Sequence, residues 1–297
     1  MRFTRRGQRL GLVPNSTRGP VTLVNSPVSK GTRRLLMSGL TLAPAGANVV
    51  MQLSRTAVGY GVVHSPVSSG ALLVHPIKRT RTTLAYILVA LYGTDAERVA
   101  LAREVTSVHR RVRSAEVGGV AYDALDPELQ LWVAACMYRG ALDALALVAV
   151  SSPTESTLDE LYQHCARFAT TLQVRPESWP PNRAAFEEYW ATALRQIRVD
   201  EVTRPFLRDV VSLRFLPAVV RLLLGPLHRF VTAGFLPGEF RRELGLEWDD
   251  RRERRFRRMV GYVARVHRRL PRPLREFPLN WVWRDTRRRL RRGQSVL

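Results

Sequence analysis

The sequence predicts an all-α protein with one large helical domain. From Asn48 onward, apolar residues recur at helical spacing between short breaks, and the strand-type alternation of apolar and polar residues is nearly absent. The 297 residues suffice for one domain that encloses a cofactor-sized pocket. We expect a partly ordered, irregular N-terminal arm at 1–45, the helical domain at 46–275 and a basic C-terminal tail at 276–297.

The individual helices are predicted from periodicity and from the residues that flank each segment. Thr94 or Asp95 can cap one helix, and Asp126-Pro127-Glu128 supplies a cap, a first-turn proline and an acid for the next. After about Ser212, apolar segments broken by Pro and Gly predict shorter helices. The segments expected before that point are 77–92, 95–113, 126–148, 155–172, 182–198 and 200–212.

The net charge is +22, and it rests on arginine because Lys30 and Lys78 are the only lysines. A surface of this charge attracts phosphate groups, so nucleic acid and anionic lipid are both open as partners. In the tail, Trp281 and Trp283 precede the run 287–292, which is rich in arginine. That combination suits either peripheral contact with an anionic membrane or a solvated basic helix.

Several protein classes are not expected. No uninterrupted apolar run approaches the roughly 18 residues of a membrane span. The N-terminal arginines precede no apolar signal segment. We therefore expect a cytoplasmic protein, either free or in peripheral contact with the inner face of the membrane. Cys136 and Cys165 stand alone, which argues against a disulfide scaffold or zinc knuckle and favours helix packing. Gly59-Tyr-Gly61 is interpreted as a tight turn.

Two features could carry chemistry. His109 lies at the edge of the apolar stripe of its helix, where it is either an iron ligand or a satisfied core histidine. Arg79 and Thr83 are four residues apart and share a helix face, so they could converge on a bound anion or on oxygen. The alternative is that Arg79 is solvated and Thr83 bonds back to its own helix.

Read in chain order, these motifs resemble the rubber oxygenase/MpaB family. The resemblance covers roughly residues 48–275, and its later part is similar to the closing segment of that family. The matching residues are Arg79-x-x-x-Thr83, Gly93, Val108-His109-Arg-Arg-Val112, Tyr122, Asp126-Pro-Glu-Leu-x-Leu-Trp132-Val133, Gly234-Phe-Leu-Pro237, Phe240-Arg241 and Leu244-Gly-Leu246-x-Trp248.

The resemblance implies an all-helical fold around haem b, with His109 as the iron ligand and with Arg79 and Thr83 close to the haem. It also implies an enzyme that uses dioxygen to cleave carbon–carbon double bonds oxidatively in an apolar, isoprenoid substrate. Such chemistry needs an apolar channel that keeps water from reactive intermediates. Nucleic acid is not an expected partner, since no helix-turn-helix, RNP or zinc-finger signature is present.

The sequence departs from the family at two places. Rubber-cleaving members carry a lysine just before the matching threonine that can cap the iron, whereas Thr82 stands there in this chain. They also carry a glutamate acid/base upstream, where this chain reads Gly61-Val-Val-His64. His64 is therefore a candidate proton shuttle, unless the reaction needs no such base. A member that binds haem or lipid without turnover, or a non-catalytic basic helical protein that binds a membrane surface or nucleic acid, remains an alternative.

Overall fold

The structure of the protein is a computed structural model that describes residues 29–67 and 71–297. These residues confirm the all-α prediction, because helices dominate and one small hairpin supplies the strands found there. Two 3₁₀ helices, Gly39–Leu42 and Pro176–Ser178, lie between α-helices. In chain order the other elements are α1 (Lys30–Leu36), α2 (Ala45–Leu53), α3 (Thr56–Val63), α4 (Pro76–Tyr92), α5 (Asp95–His109), β1 (Arg113–Val117), β2 (Val120–Asp123), α6 (Pro127–Val148), α7 (Glu155–Cys165), α8 (Arg167–Thr170), α9 (Arg183–Leu194), α10 (Thr203–Ser212), α11 (Ala218–Phe235), α12 (Gly238–Leu244), α13 (Asp250–Arg268), α14 (Arg272–Glu276) and α15 (Leu279–Arg291).

The helix expected at 95–113 ends earlier, at His109, and an antiparallel hairpin follows it. Arg113 of β1 pairs with Asp123 of β2. Gly118 and Gly119 form the turn with φ values of 58° and 77°, which two-residue hairpin turns require and which glycine adopts without strain. The Gly-Gly pair was the signal for the hairpin in the sequence, but the flanking strands are too short to show clear alternation.

The interpretation of Gly59-Tyr-Gly61 as a tight turn is wrong, because these residues lie within α3. A Cβ atom on Gly59 would come within 2.6 Å of the side chain of Thr203. The glycine therefore allows α3 to approach α10 closely. A requirement for close packing and a requirement for a turn look the same in the sequence.

The larger core surrounds α6, which packs against α2, α7, α8 and α13. Trp132 and Tyr138 of α6 are fully buried. The indole of Trp132 stacks on Trp190 with ring centroids 5.2 Å apart, and its Nε1 donates to the carbonyl of Gln52 at 3.0 Å. Cys136 and Cys165 are both buried and free of disulfides. Their burial confirms the prediction that they pack between helices.

A second core joins α4 and α5 to α15. Its buried members are Leu84, Ala85, Leu88, Val89, Leu101, Val105, Leu279, Val282 and Val296. Arg81 of α4 pairs with Asp285 of α15 at 3.3 Å, and Glu104 of α5 accepts the backbone N–H of Val296 at 2.9 Å. The segment expected to be a basic tail thus holds together the two helices that carry Arg79 and His109.

The segment expected to be an N-terminal arm also contributes to the fold where the structure describes it. Leu36 of α1 is buried in the larger core. Residues 1–28 of that arm lie outside the described residues. In the described part of the chain, helices α6 and α11 are long and apolar enough to cross a membrane by length and composition alone. Most of α6 is buried as a core helix, whereas most of α11 is not.

Candidate active site

Helix α4 has a buried face and an exposed face, and the candidate site residues lie on the exposed one. Leu84 and Leu88 face the second core, whereas Arg79 and Thr83 are exposed on another face. Thr82 is buried, and its hydroxyl donates to the carbonyl of Arg79 at 3.1 Å. The back-bonding considered for Thr83 therefore belongs to Thr82. The Thr83 hydroxyl makes no hydrogen bond with the described residues.

Arg79 lies near the start of α4 with a side chain that is accessible to solvent. Desolvation by the surrounding protein nevertheless lowers the pKa of its guanidinium. The protein around Arg79 therefore disfavours the charged form of a side chain that a ligand can still reach.

His109 is the last residue of α5, and its ring lies near this arginine. Its Nδ1 is buried and has no hydrogen-bond partner among the described residues. Burial lowers the pKa of His109 first, and the positive charge of Arg79 lowers it further. A hydrogen bond to the backbone of Ala124 and the charge of Asp123 act in the opposite direction. His109 therefore has a lowered pKa, and its Nδ1 has no partner among the described residues.

A hydrogen-bond network fixes the loop that faces His109. The Nε2 of Gln130, on α6, donates to the carbonyl of Ala124 at 2.9 Å. The Oε1 of Gln130 accepts the backbone N–H of Gln173 at 3.0 Å, and the Nε2 of Gln173 donates to Thr106 of α5 at 2.8 Å. Sequence reasoning missed this network. The buried glutamine occupies the unspecified position of Asp126-Pro-Glu-Leu-x-Leu, where composition gives no signal.

The structure does not bring His64 to the other candidates. It follows α3 as an exposed residue, and its ring lies 5.5 Å from the ring of Tyr60. Among the described contacts, none joins His64 to Arg79, Thr83 or His109. Proton transfer by His64 therefore stays a prediction.

A second imidazole, that of His164 on α7, faces Tyr92 at the end of α4. It is 5% exposed, and its Nε2 has no partner among the described residues. Burial first, and then the charge of Arg167, lowers its pKa to about 3. Its ring centroid lies 6.1 Å from that of Tyr92, whose hydroxyl is also unpaired there. This closed position is typical of a histidine that packs between helices.

An open cleft of about 860 Å³ lies over the hairpin, and Arg79, Thr83 and His109 do not line it. Its walls mix arginines with acids that already bind backbone groups. Asp126 caps α6 by accepting from Glu128 N at 2.7 Å, and Asp123 accepts from Leu125 N at 2.8 Å. The cleft is thus a polar surface outside the candidate site, with Asp123 in its wall.

Comparison with known proteins identifies the family. Residues 32–265 match the family model described as ER-bound oxygenase mpaB/B'/Rubber oxygenase, catalytic domain. The chain belongs to this family. It is therefore an enzyme of the oxygenase class, and the match begins within α1, earlier than the resemblance read from the motifs.

Two mycobacterial proteins are similar to this chain over most of its length. Uncharacterised proteins of Mycobacterium bovis and Mycobacterium tuberculosis are each 43% identical over 257 residues, which is 86% of this chain and 100% of theirs. No solved structure matches the chain. The names of these relatives indicate no substrate.

Proposed function

We propose that this member of the mpaB/rubber oxygenase family is a haem-dependent oxygenase that acts with dioxygen on an apolar, isoprenoid-type substrate by oxidative cleavage of a carbon–carbon double bond. Family membership supports the oxygenase class. The observation that carries the haem assignment is the buried Nδ1 of His109, which has no partner among the described residues. The charge of Arg79 acts on this ring, and the side chain of Arg79 is reachable from solvent. The isoprenoid class follows from the family resemblance.

The residues present fit a haem. The iron of a b-type haem needs one axial nitrogen, and groups nearby hold its propionates. His109 has a lowered pKa, so its ring offers a lone pair near neutral pH without first losing a proton. Among the described residues, no group of three or more His, Cys, Asp or Glu could hold a metal ion, whereas haem needs only the one axial side chain.

The other residues have positioning roles in this proposal. When bound, haem supplies the dioxygen chemistry. Arg79 would pair with a propionate or orient an oxygen atom through its guanidinium donors. Thr83 offers a hydroxyl one turn further along α4, and the partly buried Ile87 continues that face as an apolar surface. Thr82 binds its own helix, so it does not replace the capping lysine of rubber-cleaving members.

The test is the visible absorption spectrum of the full chain expressed with a haem precursor, with a pyridine haemochrome assay to identify the cofactor. We expect a nearly stoichiometric Soret band in the wild type and in His64→Ala, and none in His109→Ala. Oxygen uptake with isoprenoid substrates is then measured. If His64→Ala keeps its haem but loses uptake, His64 is assigned the proton transfer. A colourless wild type that haem cannot reconstitute would refute the proposal.

The same spectrum checks the non-catalytic alternative. A protein that binds nucleic acid would copurify with material that absorbs in the ultraviolet and would release it at high salt. Apart from the net charge, no feature of the described residues favours nucleic-acid binding.

A further inference from the structure

The first ten residues of α11 present an unusual apolar surface to solvent. Five of its large side chains are at least half exposed, and we call them the α11 apolar face: Val219 (70%), Leu222 (77%), Leu223 (71%), Leu224 (50%) and Leu227 (51%). Most of them fall on one side of the helix at spacings of three and four residues. Contiguous exposed apolar side chains of this kind mark interaction surfaces.

The two halves of α11 have different surroundings. Residues 232–235 are buried, and the ring of Phe235 lies 5.0 Å from that of Phe256. Pro226 stands between the halves, and it has no N–H to donate to the carbonyl of Leu222. The C-terminal half thus anchors the helix while the N-terminal half projects. To span a membrane, the anchored half would have to leave the core, so a position in the plane of a membrane surface fits better.

Cations surround the α11 apolar face. Arg214, Arg221 and Arg229 are exposed, and no acidic residue occurs in the sequence between Asp209 and Glu239. Leucines that reach the acyl boundary and arginines at the phosphate level are what an anionic bilayer surface binds. A second copy of the chain is a poorer occupant. A two-fold contact would bring the same arginines together, between molecules that each carry a charge of +22.

We propose that the α11 apolar face inserts in plane into the surface of an anionic phospholipid bilayer. This site differs from the membrane contact expected at the tail. There, Val282 is buried and Trp283 packs edge-on against Tyr92 at 6.3 Å, which leaves Trp281 as the exposed aromatic of that pair of tryptophans. The inference does not depend on the haem assignment.

Vesicle sedimentation of the full chain tests the inference. Wild type should pellet with phosphatidylcholine vesicles that contain phosphatidylglycerol, and much less with phosphatidylcholine alone. Leu222→Asp combined with Leu223→Asp should lower the partition coefficient by about 100-fold, since losing each buried leucine costs about tenfold. Val150→Asp is the matched control, because Val150 is 80% exposed outside the α11 apolar face. It should bind as wild type does.

An environment-sensitive fluorophore gives a second readout that does not depend on the aspartates. Cys136 and Cys165 are buried, so a cysteine introduced by Leu223→Cys can be labelled selectively. Its emission should shift to the blue with anionic vesicles, whereas that of Val150→Cys should not. Three results would overturn the inference: absence of vesicle binding, equal binding by the double aspartate variant, or a dimer that this variant dissociates in a protein that ignores vesicles.

Discussion

The regions around His109 and His164 each hold an imidazole with a lowered pKa and one buried nitrogen that has no partner among the described residues. They differ in what lies beside the ring. The positive charge of Arg79, whose side chain is reachable from solvent, lowers the pKa of His109. His164 faces Tyr92 inside a closed part of the fold. An unpaired nitrogen is therefore not a site in itself. It becomes a candidate when a ligand can reach it and a second polar group converges there.

The largest expected effect separates the two histidines as iron ligands. His109→Ala should lower the affinity for haem by about a hundredfold or more, since even the outer-shell partners of a metal ligand contribute about 10–100-fold. His164→Phe should keep its haem. Haem titration followed in the Soret region measures both. Added imidazole should restore the band in His109→Ala, and loss of haem in His164→Phe alone would reverse the comparison.

The next effect concerns the arginine beside His109. Arg79→Leu should weaken haem binding by about tenfold, because the charged hydrogen-bond donor proposed for a propionate is lost. It should also raise the pKa of His109 in the haem-free protein, because the positive charge that lowers it is gone. NMR titration of the ring measures that shift. Arg81→Leu is the matched control on α4, since Arg81 pairs with Asp285 instead. Equal loss of haem in both variants would contradict the assignment.

Stability should depend on pH through His164. Its folded pKa of about 3 lies below the ordinary value of 6.5, so the unfolded chain takes up the proton first. This contribution is complete above pH 6.5 and is lost as the pH falls towards about 3. Between about pH 7 and about pH 5, the free energy of unfolding should drop by about 2 kcal/mol from this group alone. Denaturant unfolding measures it, and His164→Phe should show a correspondingly smaller drop.

The smallest effect distinguishes two neighbouring threonines. Thr83→Val should change the free energy of unfolding by no more than about 0.5 kcal/mol, because the side chain is exposed, yet it should reduce oxygen uptake or haem affinity. Thr82→Val should leave uptake and affinity unchanged, because that hydroxyl already bonds to the Arg79 carbonyl. Thermal unfolding and oxygen-electrode assays measure both. A functional loss confined to Thr82→Val would move the site to the other face of α4.

Much of the helical framework could be predicted from local signals. The start of α6 at Pro127 followed from Asp126-Pro127-Glu128, and the N-cap Thr94 of α5 was among the residues expected there. The hairpin after His109 could not be predicted in the same way, because its strands depend on pairing across Gly118-Gly119. The role of Gly59 depends on its distance to Thr203, which no local pattern encodes.

The all-α class, the oxygenase family and the order of Arg79, Thr83 and His109 could be read from the sequence, because periodicity, capping and motif order are local or linear properties. The tertiary structure decided that Arg79 lies near His109, that Gln130 holds the loop facing that histidine, and that the basic tail packs on α4 and α5. It also left the leucines of α11 exposed. Burial, desolvation and distance depend on neighbours that are far away in the chain, so no stretch of sequence specifies them alone.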